Sequence, residues 1–433
     1  MQKQSPLRKF MALLSLGYMG GTIYLTTYLK ATFYTQLLDT MNMTNTQLGL
    51  VTTIVNSTAL ILSVPGAYLS DKFDAKKIIV FSVTGVTVLA FMFPLFVRNF
   101  ATFSVFQCVN GLVTVAYWPS LVKYINNLGG EEEAGSSFGS YYLINGLSGA
   151  LGNALPLWIT THFSGNPINT TVIAMGTITL IATVLVVIFL DSEKKLAERG
   201  IYLKGEEQEP IKIKYIPYIL KWPGTYILFF AYGTTILLYE YMSYLNPYLT
   251  DVFGMSVEMS SAFSIIRQYG TLVLAPLGGI MADKVLKATY KWYITAFAIT
   301  GVLYASLIFL FGPDSNAMIV GIYTILPAGV SMALYSVTFS IIRELHIPAA
   351  VSGTTIGIAT LSETIVPMIL TPIFGSFIDN NEGAVGYRYI FAAMVVICVL
   401  GILNAMWAGA HNKKCLEGRR KMNLAGLEGA EQN

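Results

Sequence analysis

Pro65-Gly66-Ala67-Tyr68-Leu69-Ser70-Asp71-Lys72 ends a long apolar run with small residues, a hydrophobic pair, a small residue, and then an acid and a base. The same ending returns 212 positions later as Leu277-Gly278-Gly279-Ile280-Met281-Ala282-Asp283-Lys284. An apolar helix that stops in a charged pair is leaving a membrane, and small residues one turn before the acid let a neighbouring helix approach closely. The correspondence continues downstream. Gly139-Ser140 leads into Leu147-Ser148, and Gly353-Thr354 into Leu361-Ser362, each pair 214 apart. One pattern used twice, half a chain apart, implies a duplicated helical bundle aligned from its second helix to its fifth.

Composition agrees with a membrane setting. Of 433 residues 54% are hydrophobic and only 12% charged, and the mean hydropathy is +0.59. That charged share is roughly half the usual one for a soluble domain. Cys108, Cys398 and Cys415 are far apart and the first two lie in apolar runs, which argues against a disulfide framework or a metal site. Residues 1–10 are basic, but no small-residue cleavage site follows, so the next apolar stretch reads as a retained first span.

A bilayer core requires about 20 apolar residues per helix. Twelve such runs are present: 10–31, 47–70, 76–97, 101–124, 137–161, 168–190, 223–249, 257–282, 290–312, 316–341, 352–378 and 386–409. The expected fold is an all-α membrane protein of twelve transmembrane helices in two pseudo-symmetric six-helix bundles, residues 1–190 and 223–409. The polar segment 191–222, with Lys194, Lys195, Arg199, Lys204, Lys212 and Lys214, reads as a linker, and 410–433 as a tail. Of 27 Lys and Arg, Arg98 and Arg388 fall on one side and Lys30 and Arg267 in or at the edge of spans. The other 23 fall on the side of both termini and the linker, which the positive-inside rule makes cytoplasmic. Trp222, Trp292 and Trp407 at run edges suit the interface.

The layout and the repeated motif resemble the major facilitator superfamily. Its loop between helices two and three carries a Gly-x-Leu-x-Asp-Arg-x-Gly-Arg-Lys type motif. Here the stretch is Ala67-Tyr68-Leu69-Ser70-Asp71-Lys72-Phe73-Asp74-Ala75-Lys76, in which Leu69, Asp71, Lys72 and Lys76 match and Ala67, Asp74 and Ala75 depart. Trp118-Pro119-Ser120 is similar to the Trp-Pro stretch of organophosphate:phosphate antiporters, and the general pattern is similar to oxalate/formate-type organic-anion carriers. Proton-coupled members often carry Arg-x-x-x-Gly in helix four; here it reads Gln107-Cys108-Val109-Asn110-Gly111. The resemblance implies a secondary transporter in a bacterial inner membrane, rocking two halves around a central cavity, with Asp71, Lys72, Asp283 and Lys284 holding the cytoplasmic gate. It implies no enzyme activity and no cofactor. The expected partners are a small anionic substrate and the lipid bilayer, without nucleic acid, and the chain is expected to act as a monomer.

Charges inside spans cost about 2.5–3.5 kcal/mol on insertion scales and usually face a cavity or a partner. Arg267 lies 16 residues before Asp283, about 24 Å along a helix, well inside the apolar slab. Its planar fork suits a carboxylate; the alternative is an internal ion pair with Glu240 or Glu363. Glu240, in a stretch that resembles a broken helix, and Glu363, beside Pro367 and Pro372 that can bend run eleven, are the proton-coupling candidates. Lys30 either snorkels to the outer interface or, if the helix continues to Leu38, lies deeper and can meet an anion. Tyr24 with Tyr28, and Tyr241 with Tyr244, share helix faces and are candidate substrate contacts, with helix packing as the alternative. Asn145, Asn153 and Gln107 are further cavity candidates. Competing functions are a neutral sugar or polyol carrier, an anion exchanger, and a non-transporting membrane sensor on the same fold.

Overall fold

The computed structural model describes residues 6–163, 165–198 and 216–422, which form helices joined by turns and short coil, with no strand among them. Arg199, Lys204, Lys212 and Lys214 lie outside the described residues. Each run starts where polar chain can cap it. Thr44 and Gln47 form a reciprocal capping box at Asn45–Lys72, Asp74 caps Ala75–Phe96, and Asn99 and Thr102 cap Phe100–Thr114. Asn166 caps Pro167–Phe189, Ser256 caps Val257–Gln268 and Asn316 caps Ala317–Tyr323. These side chains bond the amide groups that no earlier turn can reach.

Runs two, three, six, nine, eleven and twelve are unbroken helices: Asn45–Lys72, Ala75–Phe96, Pro167–Phe189, Thr289–Phe309, Ala349–Asp379 and Val385–Leu416. The last runs on into the expected tail. Run eleven passes through Pro367 and Pro372 as one helix. The loop expected between runs four and five is also absent as a break, because Tyr117–His162 is assigned helical throughout. The other runs are interrupted. Run one divides into Pro6–Thr22, Leu29–Thr32 and Tyr34–Met41. Run four breaks between Thr114 and Tyr117. Run seven divides into Pro223–Glu240, the 3₁₀ turn Tyr241–Tyr244 and Leu245–Phe253. Run ten divides into Ala317–Tyr323, Ile325–Tyr335 and Thr338–Arg343. Run eight divides after Gln268. Nine helices among the described residues are long and apolar enough to cross a membrane, and runs one and seven are not among them.

Contacts divide the chain into two compact units. The first holds Met1–Gln208, Met255–Tyr269 and Thr371–Asp379; the second holds Glu209–Gly254, Gly270–Leu370 and Asn380–Asn433. The first is centred on Leu16, Met19, Val83, Tyr117, Leu121 and Val186, all buried. Two pieces from late in the chain belong to it. Asp379 accepts from the amides of Asn45 and Thr46 at 3.0 and 2.7 Å, and Ser264 donates to the Ala31 carbonyl at 2.6 Å. The second unit packs runs seven, nine and twelve around Phe391, whose ring meets Tyr248 edge-on at 4.8 Å and Tyr304 at 6.0 Å. Trp222 and Trp292 are buried there and bond the carbonyls of Leu345 and Ala333. They are packing residues, where the sequence suggested interface anchors.

The repeated motif has the same packing role in both units. A Cβ on Gly66 would lie 2.7 Å from the Val115 carbonyl oxygen of run four, and one turn on, Ser70 accepts from Ser120 at 3.0 Å. A Cβ on Gly278 would lie 1.9 Å from the Ala333 oxygen of run ten, and Ala282, one turn on, is buried. The small residues admit the fourth helix of each half against the second. Run one packs on run five in the same way, since a Cβ on Gly21 would lie 2.3 Å from the Asn145 carbonyl oxygen. That obstacle is backbone and cannot swing aside. Gly21→Val is expected to cost about 1–3 kcal/mol by overpacking and to lower the unfolding temperature in detergent. Gly279→Val, with nothing within 4 Å of the added carbon, serves as the control and should change it little.

Candidate functional site

Run one unwinds over Ile23–Tyr28. A helix opened inside a bilayer frees backbone groups that only other protein groups can satisfy. Run four meets one of them and braces the segment: Gln107 Nε2 donates to the Thr26 carbonyl at 3.0 Å, and Asn110 Nδ2 donates to the side-chain hydroxyls of Thr26 and Thr27 at 3.0 and 3.1 Å. Both side chains are buried. Gln107, read from sequence as a cavity candidate, is thus a clip on the break. Asn153 and Asn145 are likewise engaged in packing, donating to the hydroxyls of Tyr269 and Tyr141, each at 3.0 Å.

The break re-aims the rest of run one. Leu29–Thr32 and Tyr34–Met41 continue the run, so Lys30 does not end it. Lys30 Nζ donates to Thr52 Oγ1 at 2.6 Å. Thr52 is seven residues inside the helix that starts at Asn45, about 10 Å along it. That is the deeper of the two expected placements. Tyr24 and Tyr28 share a face as expected, their ring centroids 5.9 Å apart. Tyr28 is 55% exposed, while Tyr24 also meets Tyr117 edge-on at 5.6 Å.

Arg267 is 1% exposed and is the largest fully buried side chain described. It stands three residues after Ser264, on the same helix face, and Ser264 is the residue bonded to Ala31, the neighbour of Lys30. Both cations therefore belong to the first unit, on elements in direct contact. Tyr269, two residues on, lies against Gly149, where an added Cβ would come 2.5 Å from its ring.

The two glutamates and the second tyrosine pair belong to the other unit. Glu363, half-buried in run eleven, accepts from the Tyr232 hydroxyl at 2.5 Å. Tyr232 stacks on Phe339 at 5.2 Å, and Tyr335 stacks on Tyr239 at 5.5 Å. Glu240 ends an α-helix and hands over to the 3₁₀ turn, where its carbonyl accepts from Ser243 at 3.0 Å. The expected broken helix is present at that point. Tyr241 and Tyr244 are both buried, their centroids 6.0 Å apart. Tyr232 was not singled out from sequence; its position three residues before Thr235 on an otherwise buried helix carried no signal.

At the cytoplasmic ends, Lys72, Asp283 and Lys284 are exposed, Lys72 lying over the rings of Tyr68 and Phe73 at 5.5 and 5.9 Å. The side chain of Asp71 lies outside the described residues. An acid does stand at the next helix's positive end, and it is Asp74. It accepts from the amides of Lys76 and Glu193, and Glu193 returns the bond from Ala75 and pairs with Lys123 at 2.9 Å. In the second unit Glu344 does the same for run nine, accepting from the amides of Thr289 and Tyr290. Negative charge at a helix start is favoured by the axial dipole.

Comparison with known proteins supports this architecture. The sequence model of the family described as Major Facilitator Superfamily matches residues 11–371. The inner membrane protein YihN of Escherichia coli (strain K12) is 25% identical over 392 residues, covering 88% of this chain and 91% of that one. YqcE of the same organism is 22% identical over 393 residues, covering 88% and 90%. The "Probable sulfoacetate transporter SauU" of Cupriavidus necator is 23% identical over 359 residues, covering 79% and 81%. Among solved structures, the nucleoside transporter NupG has a TM-score of 0.70 at 11% identity, covering 93% of this chain and 98% of that one. The D-xylose-proton symporter has a TM-score of 0.64 at 14% identity, covering 93% and 96%. At such identity the structures speak to the fold.

Removing the clip should loosen the break. Gln107→Leu leaves the Thr26 carbonyl without its donor, at an expected cost of about 1–3 kcal/mol. Asn110→Leu should cost a similar amount, and the double variant less than the sum, because both act on Thr26. Unfolding curves of the four proteins in one detergent check this.

Proposed function

The chain belongs to the major facilitator superfamily, and on that footing we propose that it carries a small organic anion by alternating access, driven by protons. That it is an integral membrane transporter and not an enzyme follows from the family. The observation that carries the anion reading is the burial of Arg267 on a helix in contact with the element of Lys30. Two cations on touching elements of one unit attract an anion more than either does alone, and more so in a medium of low dielectric. A carboxylate or sulfonate is the matching chemistry, because the guanidinium fork can take two of its oxygens at once. The sulfonate-carrying name of one relative accords with this. Tyr24 and Tyr28 in the first unit, and Tyr241 and Tyr244 in the second, are the proposed hydroxyl contacts.

Glu363 is the preferred proton carrier over Glu240, because the Tyr232 hydroxyl already holds it. A phenol donates to the carboxylate and can turn to accept from the carboxylic acid, so the proton can come and go without rebuilding the site. The halves that rock are proposed to be 1–190 and 223–409, joined by 191–222, with Asp71, Lys72, Asp283 and Lys284 as the cytoplasmic gate.

Uptake into proteoliposomes across carboxylates, sulfonates, phosphates and neutral sugars, with and without a proton gradient, tests the reading. Arg267→Gln should raise the half-saturating anion concentration about 10- to 100-fold. Unchanged anion uptake in that variant, or transport of neutral sugars instead, removes the anion assignment. Glu363→Gln should abolish gradient-driven accumulation while leaving anion exchange intact. If accumulation still follows the gradient, Glu363 is not the carrier.

A further inference from the structure

Run three leaves one face outside the packing of its unit. Ser82, Val83, Val86, Thr87 and Ala90 are buried, whereas Phe81, Thr84 and Val88 are exposed at helical spacing. That face is concave. With Val113 of run four and Val187 of run six it walls a groove of about 830 Å³, lined almost wholly by apolar atoms. Gly85 lies in the lining, and an added Cβ there would come 2.3 Å from Val113, so runs three and four nearly touch behind the groove.

The cytoplasmic mouth of the groove is charged. Asp74, Lys76, Lys77 and Ser192 line it. Asp74 is taken up by the amides of Lys76, Lys77 and Glu193. Lys76 Nζ donates to the carbonyls of Val187 and Leu190 at 3.1 and 2.6 Å, which ties runs three and six together at the mouth. Lys77 is exposed, and Lys194 and Lys195, also exposed, come soon after Ser192 in the chain. The nearby acids Asp191 and Glu193 are paired with Arg8 and Lys123. The mouth therefore carries net positive charge. From Lys77 to Val88 the groove follows eleven residues of helix, about 16 Å, which is close to half of a hydrocarbon core about 30 Å thick.

We propose that this groove binds one anionic glycerophospholipid of the cytoplasmic leaflet, with its phosphate at Lys77 and one acyl chain along Phe81, Thr84 and Val88. Basic pockets between transmembrane helices on the cytoplasmic side suit anionic headgroups. A soluble anion has no use for the apolar wall, and a zwitterionic lipid gains little from the mouth. The site is separate from Arg267 and Glu363, and its occupant is not transported.

The test is native mass spectrometry of the full chain released from detergent, titrated with phosphatidylglycerol or phosphatidylcholine of equal chain length. Wild type should retain phosphatidylglycerol at about fivefold lower concentration or better. Lys77→Gln, at an exposed position, should lose that preference while keeping the same unfolding temperature. Val88→Trp, which fills the tail channel, should lower retention of both lipids. Glycerol phosphate, which has the charge but no tail, should not compete. Equal retention of the two lipids by wild type, or a preference unchanged in Lys77→Gln, overturns the proposal. So does competition by glycerol phosphate, which would make the site one for a soluble anion.

Discussion

A backbone group buried in hydrocarbon must be bonded within the protein, and this chain is organised by how it meets that requirement where its helices break. Runs one, four, seven, eight and ten are interrupted, and the rest pass unbroken. Each break costs free backbone groups and yields side chains aimed where a continuous helix could not aim them. At Ile23–Tyr28 Gln107 meets the Thr26 carbonyl, Asn110 holds the threonine hydroxyls, and beyond the break Lys30 reaches Thr52. At Glu240 a 3₁₀ turn meets the cost, and Tyr241 and Tyr244 are turned into the interior. Runs one and seven, and runs four and ten, occupy matching places in the two halves, so those breaks recur with the duplication, whereas run eight breaks and its counterpart run two does not.

Duplication preserved the backbone contacts and let the charges drift. Gly66 and Gly278 each admit a carbonyl that a side chain would exclude, and no other residue type can stand there without separating two helices. The next helix start in each half is capped by acid, yet by different residues: Asp74 with Glu193 in the first unit, Glu344 in the second. Any carboxylate that reaches the helix start satisfies its amides. A helix contact at van der Waals distance allows no such freedom.

The ionisable groups separate by unit. Arg267 and Lys30 lie in the first, Glu240 and Glu363 in the second. Arg267 comes from run eight yet packs with first-half helices, because Ser264 reaches Ala31 and Tyr269 fits over Gly149. The anion proposal rests on that placement, and the coupling proposal on a single phenol–carboxylate bond. The two readings can therefore fail independently.

Much of the architecture was legible in the residues alone. Apolar run length, lysine and arginine asymmetry and a motif repeated 212 positions apart are properties of short windows, and a bilayer reads short windows. The pattern around Tyr239–Pro247 also showed that run seven would break. Pairing across the fold was not legible. Nothing near Gln107 says that it holds Thr26, and nothing near Tyr232 says that it holds Glu363. The motif's charged end drew attention, but its small residues carry the helix contact and Asp74 carries the cap. Local pattern decides whether a segment enters the membrane, because that free energy is summed residue by residue. Which polar group meets which is decided only when helices distant in sequence are packed, because the bond exists only at contact distance.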